Sequence, residues 1–108
     1  MSRANLGELE EQVLLALVRL GGESYAGQVA DELTARTGRD VSPATTFMVM
    51  RRLEARGLLT SRVDRADASW GGRPRRIYVA RKKTVLPLLR ASRRARLALW
   101  DGLEGLLE

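Results

Sequence analysis

The sequence predicts a mostly α-helical fold that contains one small β-hairpin. Apolar residues recur at helical spacing in three segments with short connections, which is typical of a helix-turn-helix unit. A basic, glycine-bearing segment, residues 64–75, then separates two strand-like stretches, and residues 84–107 carry a fourth helical pattern. Three helices followed by a basic hairpin outline a winged helix-turn-helix domain, which we place at residues 1–82, with a long C-terminal helix at residues 83–108.

The third helical segment, residues 43–56, carries its own start and stop signals. Ser42 can accept a backbone hydrogen bond at the helix N-terminus, Pro43 suits the first helical position, and Gly57 can adopt the left-handed conformation that ends a helix. Since each residue turns the helix by about 100°, one side should pack on the domain and the other should be exposed. The packed side holds Thr46, Val49, Met50 and Leu53, and the exposed side holds Ala44, Met48, Arg51, Arg52 and Ala55.

The two preceding helices supply most of the remaining core. The first begins near Leu9, is apolar most of the way round and ends at Gly21, so it should be buried. We expect Ser24 to cap the second helix and Gly38 to end it. The predicted core residues are Leu14, Leu17, Val29, Leu33, Met50 and Leu53.

The strand-like stretches are residues 59–63 and 76–79, which we predict to pair in antiparallel fashion. The second stretch alternates less clearly than the first. Its pattern leaves open whether Ile77 and Val79, or Tyr78 and Ala80, face the core. The loop between the strands is polar and long for a hairpin, so we expect its tip to become ordered on a partner.

Composition excludes several classes of protein. The 108 residues suffice for one domain with a modest core, and the chain has neither cysteine nor histidine. Disulfides, thiol chemistry, imidazole general bases and the commonest zinc ligands are therefore excluded, and we expect no metal, no cofactor and no enzymatic activity. The longest apolar run, residues 13–18, is too short to span a bilayer, and the acidic start lacks the basic region of a signal peptide. We expect a cytoplasmic protein.

Positive charge is concentrated in the second half of the chain. The net charge is −3 for residues 1–50, +12 for residues 51–100 and −3 for the last eight residues. The basic charge begins on the exposed side of the third helix and continues through the hairpin, a distribution that favours a polyanion as partner. The alternative is a solvated surface on an arginine-rich protein.

Six short motifs follow one another between residues 6 and 80: Leu6-Gly7-Glu8-Leu9-Glu10, Ser24-Tyr25, Ser42-Pro43, Arg52-Leu53-Glu54, Gly57-Leu58-Leu59 and Gly71-Gly72-Arg73-Pro74-Arg75-Arg76. In this order and spacing they resemble the PadR family of bacterial transcriptional regulators. The resemblance implies a DNA-binding regulator that pairs through a C-terminal helical region, here in the short form with a single helix.

The sequence departs from the PadR pattern at several positions. Phe47 stands where the family usually has tyrosine, so a hydroxyl contact to phosphate would be lost, and Gly27 stands where an aromatic residue is usual. Thr46 occupies a position that is usually leucine, where its hydroxyl can bond back to the Ser42 carbonyl. In winged-helix domains the hairpin is called the wing. The segment 81–85 lacks the glycine that commonly follows this wing in the family. These departures concern the DNA contacts more than the fold.

Candidate DNA contacts lie on the third helix and on the hairpin. We expect the helix residues in the major groove or on its flanking phosphates, and the hairpin residues on the backbone or in the minor groove. For Trp70 we favour packing on the domain over contact with DNA. The sequence thus predicts a dimeric, sequence-specific repressor; the alternative is a winged-helix protein-interaction module that does not bind DNA. The candidate residues are Ser42, Ala44, Thr45, Met48, Arg51, Arg52, Arg73, Arg75 and Arg76.

The pattern of residues 84–107 predicts a helix of about 36 Å, longer than so small a domain can cover, with Pro87 in its first turn. We therefore expect a homodimer; the alternative is a helix packed wholly on its own domain. Arg96 interrupts the apolar stripe and should extend to solvent or pair with Glu8, Glu10 or Glu11. The expected interface residues are Leu89, Ala95, Leu99, Leu103 and Leu106.

Trp100 is the candidate ligand-binding residue. It follows Leu99, and two copies can approach each other across the dimer axis. The resemblance implies a small aromatic effector here, because short PadR-like proteins include members that bind flat aromatic compounds at the dimer centre. The neighbouring Arg93, Arg94 and Arg96 would favour an anionic or neutral aromatic over a cation. The alternative, which the residues alone favour, is that Trp100 packs as part of the interface core.

Overall fold

Four α-helices and a three-stranded antiparallel sheet make up the fold in the computed structural model, which describes residues 5–65 and 74–106. This architecture confirms the predicted fold class. Trp70 and Arg73 lie outside the described residues, so the predictions made for them stay predictions. The elements are α1 (Glu8–Arg19), β1 (Glu23–Ser24), α2 (Ala26–Thr37), α3 (Pro43–Ala55), β2 (Leu59–Asp64), β3 (Arg75–Ala80), α4 (Lys82–Trp100) and a 3-10 helix (Glu104–Leu106).

Helix α3 begins and ends at the predicted signals. The Ser42 hydroxyl accepts a hydrogen bond from the Thr45 backbone N–H at 3.0 Å, and Pro43 is the first helical residue. Gly57, just past the end, has a φ of 80°, a left-handed conformation that a side chain disfavours. The predicted division into a buried and an exposed side is confirmed for all nine residues named. This division determines which side chains of α3 point toward solvent.

The sheet has the order β1-β3-β2, so β3 lies in the centre. The predicted hairpin is confirmed as the antiparallel pair of β2 and β3, with Ser61 opposite Tyr78. The expectation that Ser24 caps α2 is wrong, because Ser24 belongs to β1 and Tyr25 is the N-cap residue. The Ser24 hydroxyl donates to the Gln28 side chain instead. Two residues are too few for an alternating pattern, so the sequence does not predict β1.

One apolar core joins the first three helices, the sheet and the beginning of α4. All six predicted core residues are buried. The sequence left open which residues of β3 face the core. Tyr78 and Ala80 belong to this core, whereas Ile77 is buried outside it. Val85 and Leu89 add the first two turns of α4 to the same core, which anchors that helix on the domain.

The start of α4 differs from the prediction. The helix begins at Lys82 rather than at residue 84, so Pro87 is its sixth residue and does not lie in the first turn. Proline has no N–H, and α4 therefore lacks one backbone hydrogen bond there. Packing of Val85 and Leu89 in the core compensates for this loss. No helix within the described ranges is long and apolar enough to cross a membrane.

The end of α4 also differs, because the continuous helix predicted for residues 84–107 stops at Trp100. Asp101 leaves the helical conformation with a ψ of 124°, and Gly102 has a φ of 86°. Glycine is about 1 kcal/mol less favourable than alanine inside a helix, and apolar periodicity does not report this cost. Leu103 and Leu106 therefore follow a turn and do not continue the helical stripe.

Tyr78 carries a buried polar group at the centre of the sheet. Its side chain is fully buried, and its hydroxyl has no hydrogen-bond partner among the described residues. Burial away from water raises the pKa of Tyr78 above its ordinary value, and the carboxylate of Glu54 adds to the shift. The hydroxyl therefore stays neutral in the folded state and contributes an uncompensated desolvation cost.

We predict that Tyr78→Phe raises the free energy of unfolding by about 1 kcal/mol near neutral pH, because it removes an unsatisfied buried hydroxyl. Since the folded-state pKa of Tyr78 lies above its unfolded value, the unfolded chain loses this proton first as pH rises past about 10. Wild-type stability should therefore decline further relative to the variant above that pH. Urea denaturation of both proteins near pH 7 and above pH 10 measures both effects. A variant that is less stable at both values would show that the hydroxyl has a partner.

Candidate nucleic-acid interface

The exposed side of α3 presents small side chains at its beginning and arginines in its last two turns. The Ser42 hydroxyl makes its hydrogen bonds within the chain, because it accepts from the Thr45 N–H and donates to Thr45 Oγ1, both at 3.0 Å. Met48 is 53% exposed, which is unusual for so apolar a side chain. The predicted contact residues on this side are, in order, Ala44, Thr45, Met48, Arg51 and Arg52, all of which are exposed.

The two arginines of α3 are held differently. The Arg51 guanidinium carbon lies 5.9 Å from the centroid of the Phe47 ring, and that ring meets Tyr78 edge-on at a centroid distance of 6.2 Å. A cation over an exposed ring gains about 0.5–1 kcal/mol, so Arg51 is oriented by a ring that rests on the core. The side chain of Arg52 forms no hydrogen bond or ion pair within the described part of the chain, which leaves its guanidinium available to a partner.

A chain of hydrogen bonds connects α3 to the hairpin. The Ser61 hydroxyl of β2 donates to Glu54 Oε2 at 2.7 Å, and Arg76 Nη1 of β3 donates to the Ser61 hydroxyl at 3.0 Å. Arg76 is thereby held at a fixed position relative to α3. Sequence reasoning missed Glu54 and Ser61 as supporting residues, because no periodicity relates positions on three different elements.

Arg75, the other described wing arginine, is half-buried. Its guanidinium carbon lies 4.0 Å from the centroid of the Tyr25 ring. Tyr25 is the N-cap residue of α2, so this contact joins the helix-turn-helix unit to the hairpin a second time. The structure thus places two of the three predicted wing arginines next to side chains that orient them.

The end of the chain presents a set of exposed apolar side chains. Leu99 is 78% exposed and Trp100 is 47% exposed, and Leu97, which was not predicted, is exposed as well. Among the five predicted interface residues, Leu89 differs from the rest, because it is buried in the core of its own chain. The other four, Ala95, Leu99, Leu103 and Leu106, are exposed.

A groove with a volume of about 530 Å³ lies between α1 and α4 and includes Trp100. Arg96 Nη1 donates to Glu11 Oε1 at 2.7 Å in this region, which confirms one of the pairings expected for Arg96. Because the Glu11 carboxylate is buried, this ion pair fixes the distal half of α4 to α1. Besides Trp100, Glu11 and Arg96, the groove is lined by Leu15, Val18, Leu86, Leu89, Arg90, Arg93 and Leu97.

The comparisons with known proteins identify transcriptional regulators. The penicillinase repressor model matches residues 6–89, which is most of the chain. A PadR family transcriptional regulator from Eggerthella lenta is 31% identical, with a TM-score of 0.68, over 94% of this chain and 87% of that one. The chain belongs to the PadR family, and the family model also places it among the penicillinase repressors. It is a transcriptional regulator and not an enzyme, as predicted.

Two further solved structures share the PadR fold. A PadR-like regulator from Bacillus cereus is 18% identical with a TM-score of 0.69, over 93% of this chain and 91% of that one. The organohalide-sensing RdhR regulator in its 2,4-dichlorophenol-bound form is 24% identical with a TM-score of 0.66, over 92% of this chain and 54% of that one. No curated protein gives a significant match to the sequence.

The structure explains two departures from the PadR pattern. Thr46 is fully buried, and its hydroxyl donates to the Ser42 carbonyl oxygen at 3.0 Å, as expected for a threonine in place of leucine. Phe47 is half-buried between Arg51 and Tyr78, and both contacts are made by its ring and need no hydroxyl. Both residues help to orient α3 within the domain.

Proposed function

We propose that this PadR regulator is a homodimeric, cytoplasmic repressor that binds duplex DNA. In this proposal α3 lies in the major groove and the hairpin of β2 and β3 lies against the backbone or in the minor groove. The observation that carries it is the presence of exposed arginines on both elements, held at a fixed separation by the hydrogen bonds from Glu54 through Ser61 to Arg76. A protein-interaction module would not require basic side chains on both elements.

Each presented residue has a role that its chemistry suits. Ala44 and Thr45 are small, so the beginning of α3 can approach the groove closely, and Met48 offers an apolar contact to a thymine methyl group. Arg51 and Arg52 can fork onto guanine edges or neutralise flanking phosphates. The wing residues Arg73, Arg75 and Arg76 would add phosphate contacts, which makes the affinity depend on salt.

The exposed end of the chain supports a dimer. The radius of gyration is 15.5 Å, against about 13 Å for a typical domain of 100 residues, and the longest dimension is 53 Å. The Arg96–Glu11 ion pair holds α4 on α1, yet apolar side chains of the distal half of α4, such as Leu97 and Leu99, remain exposed. A second copy would cover Ala95, Leu97, Leu99, Leu103 and Leu106, which makes residues 83–108 the dimerisation segment.

The groove at Trp100 suits a small aromatic effector. Its apolar side chains offer stacking and contact surface. The charge of Arg96 is compensated by Glu11, but Arg90 and Arg93 favour a neutral or anionic compound. The similar RdhR regulator was solved with 2,4-dichlorophenol, a compound of this class. Such a ligand would change DNA affinity if it prefers a dimer in which the two α3 helices are wrongly spaced. Through its ion pair with Glu11, Arg96 connects the groove to α1.

We predict that Arg52→Ala weakens binding to the operator by about 1–3 kcal/mol and relaxes sequence preference, because a base contact is lost. Arg76→Ala should weaken binding to all sequences equally and reduce the slope of log affinity against log salt by about one. Fluorescence anisotropy with the promoter duplex and a scrambled duplex measures both. Arg94→Ala, which removes an exposed charge on α4, is the control. Affinities that match this control in both variants would rule out the assignment.

We predict that Leu99→Asp separates the subunits, because a dimer would have to bury an unpaired charge at its centre. Binding to a two-fold operator with half-sites about 34–36 Å apart should be lost with the dimer. Val63→Asp places the same charge at an exposed apolar position of β2 and should leave the dimer intact. Sedimentation equilibrium measures the oligomeric state of the wild type and of both variants. A dimer that survives Leu99→Asp would place the interface elsewhere.

We predict that neutral or anionic planar aromatics quench Trp100 fluorescence, and that planar cations do so less, because of the arginines in the groove. The Trp70→Phe variant isolates the signal, and the double variant that also carries Trp100→Phe gives the background. Titration up to about 100 μM covers the useful affinity range. Absence of quenching by every compound would assign Trp100 to the interface core.

A further inference from the structure

Strand β1 brings the start of α2 next to the hairpin. Its two residues pair with β3, with Glu23 opposite Val79 and Ser24 opposite Tyr78 in antiparallel register. The chain therefore runs toward the N-terminal end of β3 as it leaves β1. Tyr25, the next residue, reaches Arg75, which is the first residue of that strand.

The Tyr25 ring is confined by its surroundings. The Arg75 guanidinium carbon lies 4.0 Å from the ring centroid, close enough for a stacked cation–π contact. A Cβ atom at position 27 would lie 3.1 Å from Cε2 of the same ring, so the ring rests against α2 backbone that has no side chain. Gly27, which departs from the PadR pattern, thus provides the space that the ring occupies.

We propose that Tyr25 is a positioning residue, whose ring orders the Arg75 guanidinium for contact with a DNA phosphate. A guanidinium stacked on a ring keeps its N–H groups at the edge of the plane, where they can donate to phosphate oxygens. Because the contact exists in the free protein, part of the conformational entropy of the long side chain is lost before DNA binds. This inference rests on the proposed DNA binding and adds a residue that makes no DNA contact itself.

A double-mutant cycle between Tyr25 and Arg75 tests the inference. In the wild-type background, Tyr25→Leu should lower DNA affinity about two- to fivefold, the range expected for an exposed cation–π contact. In the Arg75→Ala background the same change should have no effect, because there is no guanidinium to orient. Tyr25→Phe keeps the ring and should bind DNA as the wild type does.

Two controls separate positioning from other roles. In the Arg76→Ala background, Tyr25→Leu should still lower DNA affinity by its full amount. Tyr25 does not orient Arg76, whose side chain in the wild type is held by Ser61. Arg75→Ala should reduce the salt slope by about one, whereas Tyr25→Leu should lower affinity and leave the slope unchanged, since the number of charges is the same. Anisotropy titrations across a salt series yield both quantities.

Each remaining outcome overturns a definite statement. If Tyr25→Phe weakens binding as much as Tyr25→Leu, the hydroxyl contacts DNA and the ring is not a positioning group. If Tyr25→Leu has the same effect with and without Arg75, the ring acts on the fold, and the inference is wrong. If Arg52→Ala lowers affinity while Tyr25 and Arg75 show no coupling, the inference fails and the proposed function stands. If none of the arginine variants changes affinity, the proposed function fails as well.

Discussion

Burial of one side of α3 fixes the rotation of this helix, and every proposed contact with DNA depends on that rotation. Thr46, Val49, Met50 and Leu53 are each at most 1% exposed. Turning α3 about its axis would remove these side chains from the close-packed core, and emptying a single large apolar position costs about 2–5 kcal/mol. The Glu54 carboxylate, on the same helix, then holds the wing through Ser61 and Arg76. The helix and the hairpin therefore behave as one preorganised surface.

Arginine serves two purposes in this chain. Some arginines hold the domain together, as Arg56 does with Glu10 and Arg96 does with Glu11. Exposed ion pairs contribute about 0–1 kcal/mol, but the Glu11 carboxylate is buried and needs its partner. Net charge alone cannot distinguish arginines that form ion pairs within the domain from arginines that are available to bind DNA. The structure shows the contrast with Arg52, whose guanidinium has no partner within residues 5–65 and 74–106.

Sequence reasoning predicted the features that local signals determine. The ends of α3, the six core residues and the β2–β3 hairpin follow from capping residues and periodicity. Strand β1 could not be predicted, since a two-residue strand exists through its pairing with β3. The end of α4 was missed because the apolar pattern continues past Gly102, where the backbone turns. The contact of Tyr25 with Arg75 depends on tertiary structure, as do the hydrogen bonds around Ser61, so neither has a signature in the sequence.

Binding of the purified protein to DNA from its own promoter region tests the central claim most directly. A mobility-shift assay would compare this duplex with a scrambled duplex of the same length and composition, from about 50 mM to about 200 mM salt. We expect tighter binding to the promoter duplex by a factor of at least about 10³, and a steep loss of affinity for both duplexes as salt increases. Equal affinity for the two duplexes, or no binding at the lowest salt concentration, would contradict a sequence-specific DNA-binding role for α3 and the hairpin.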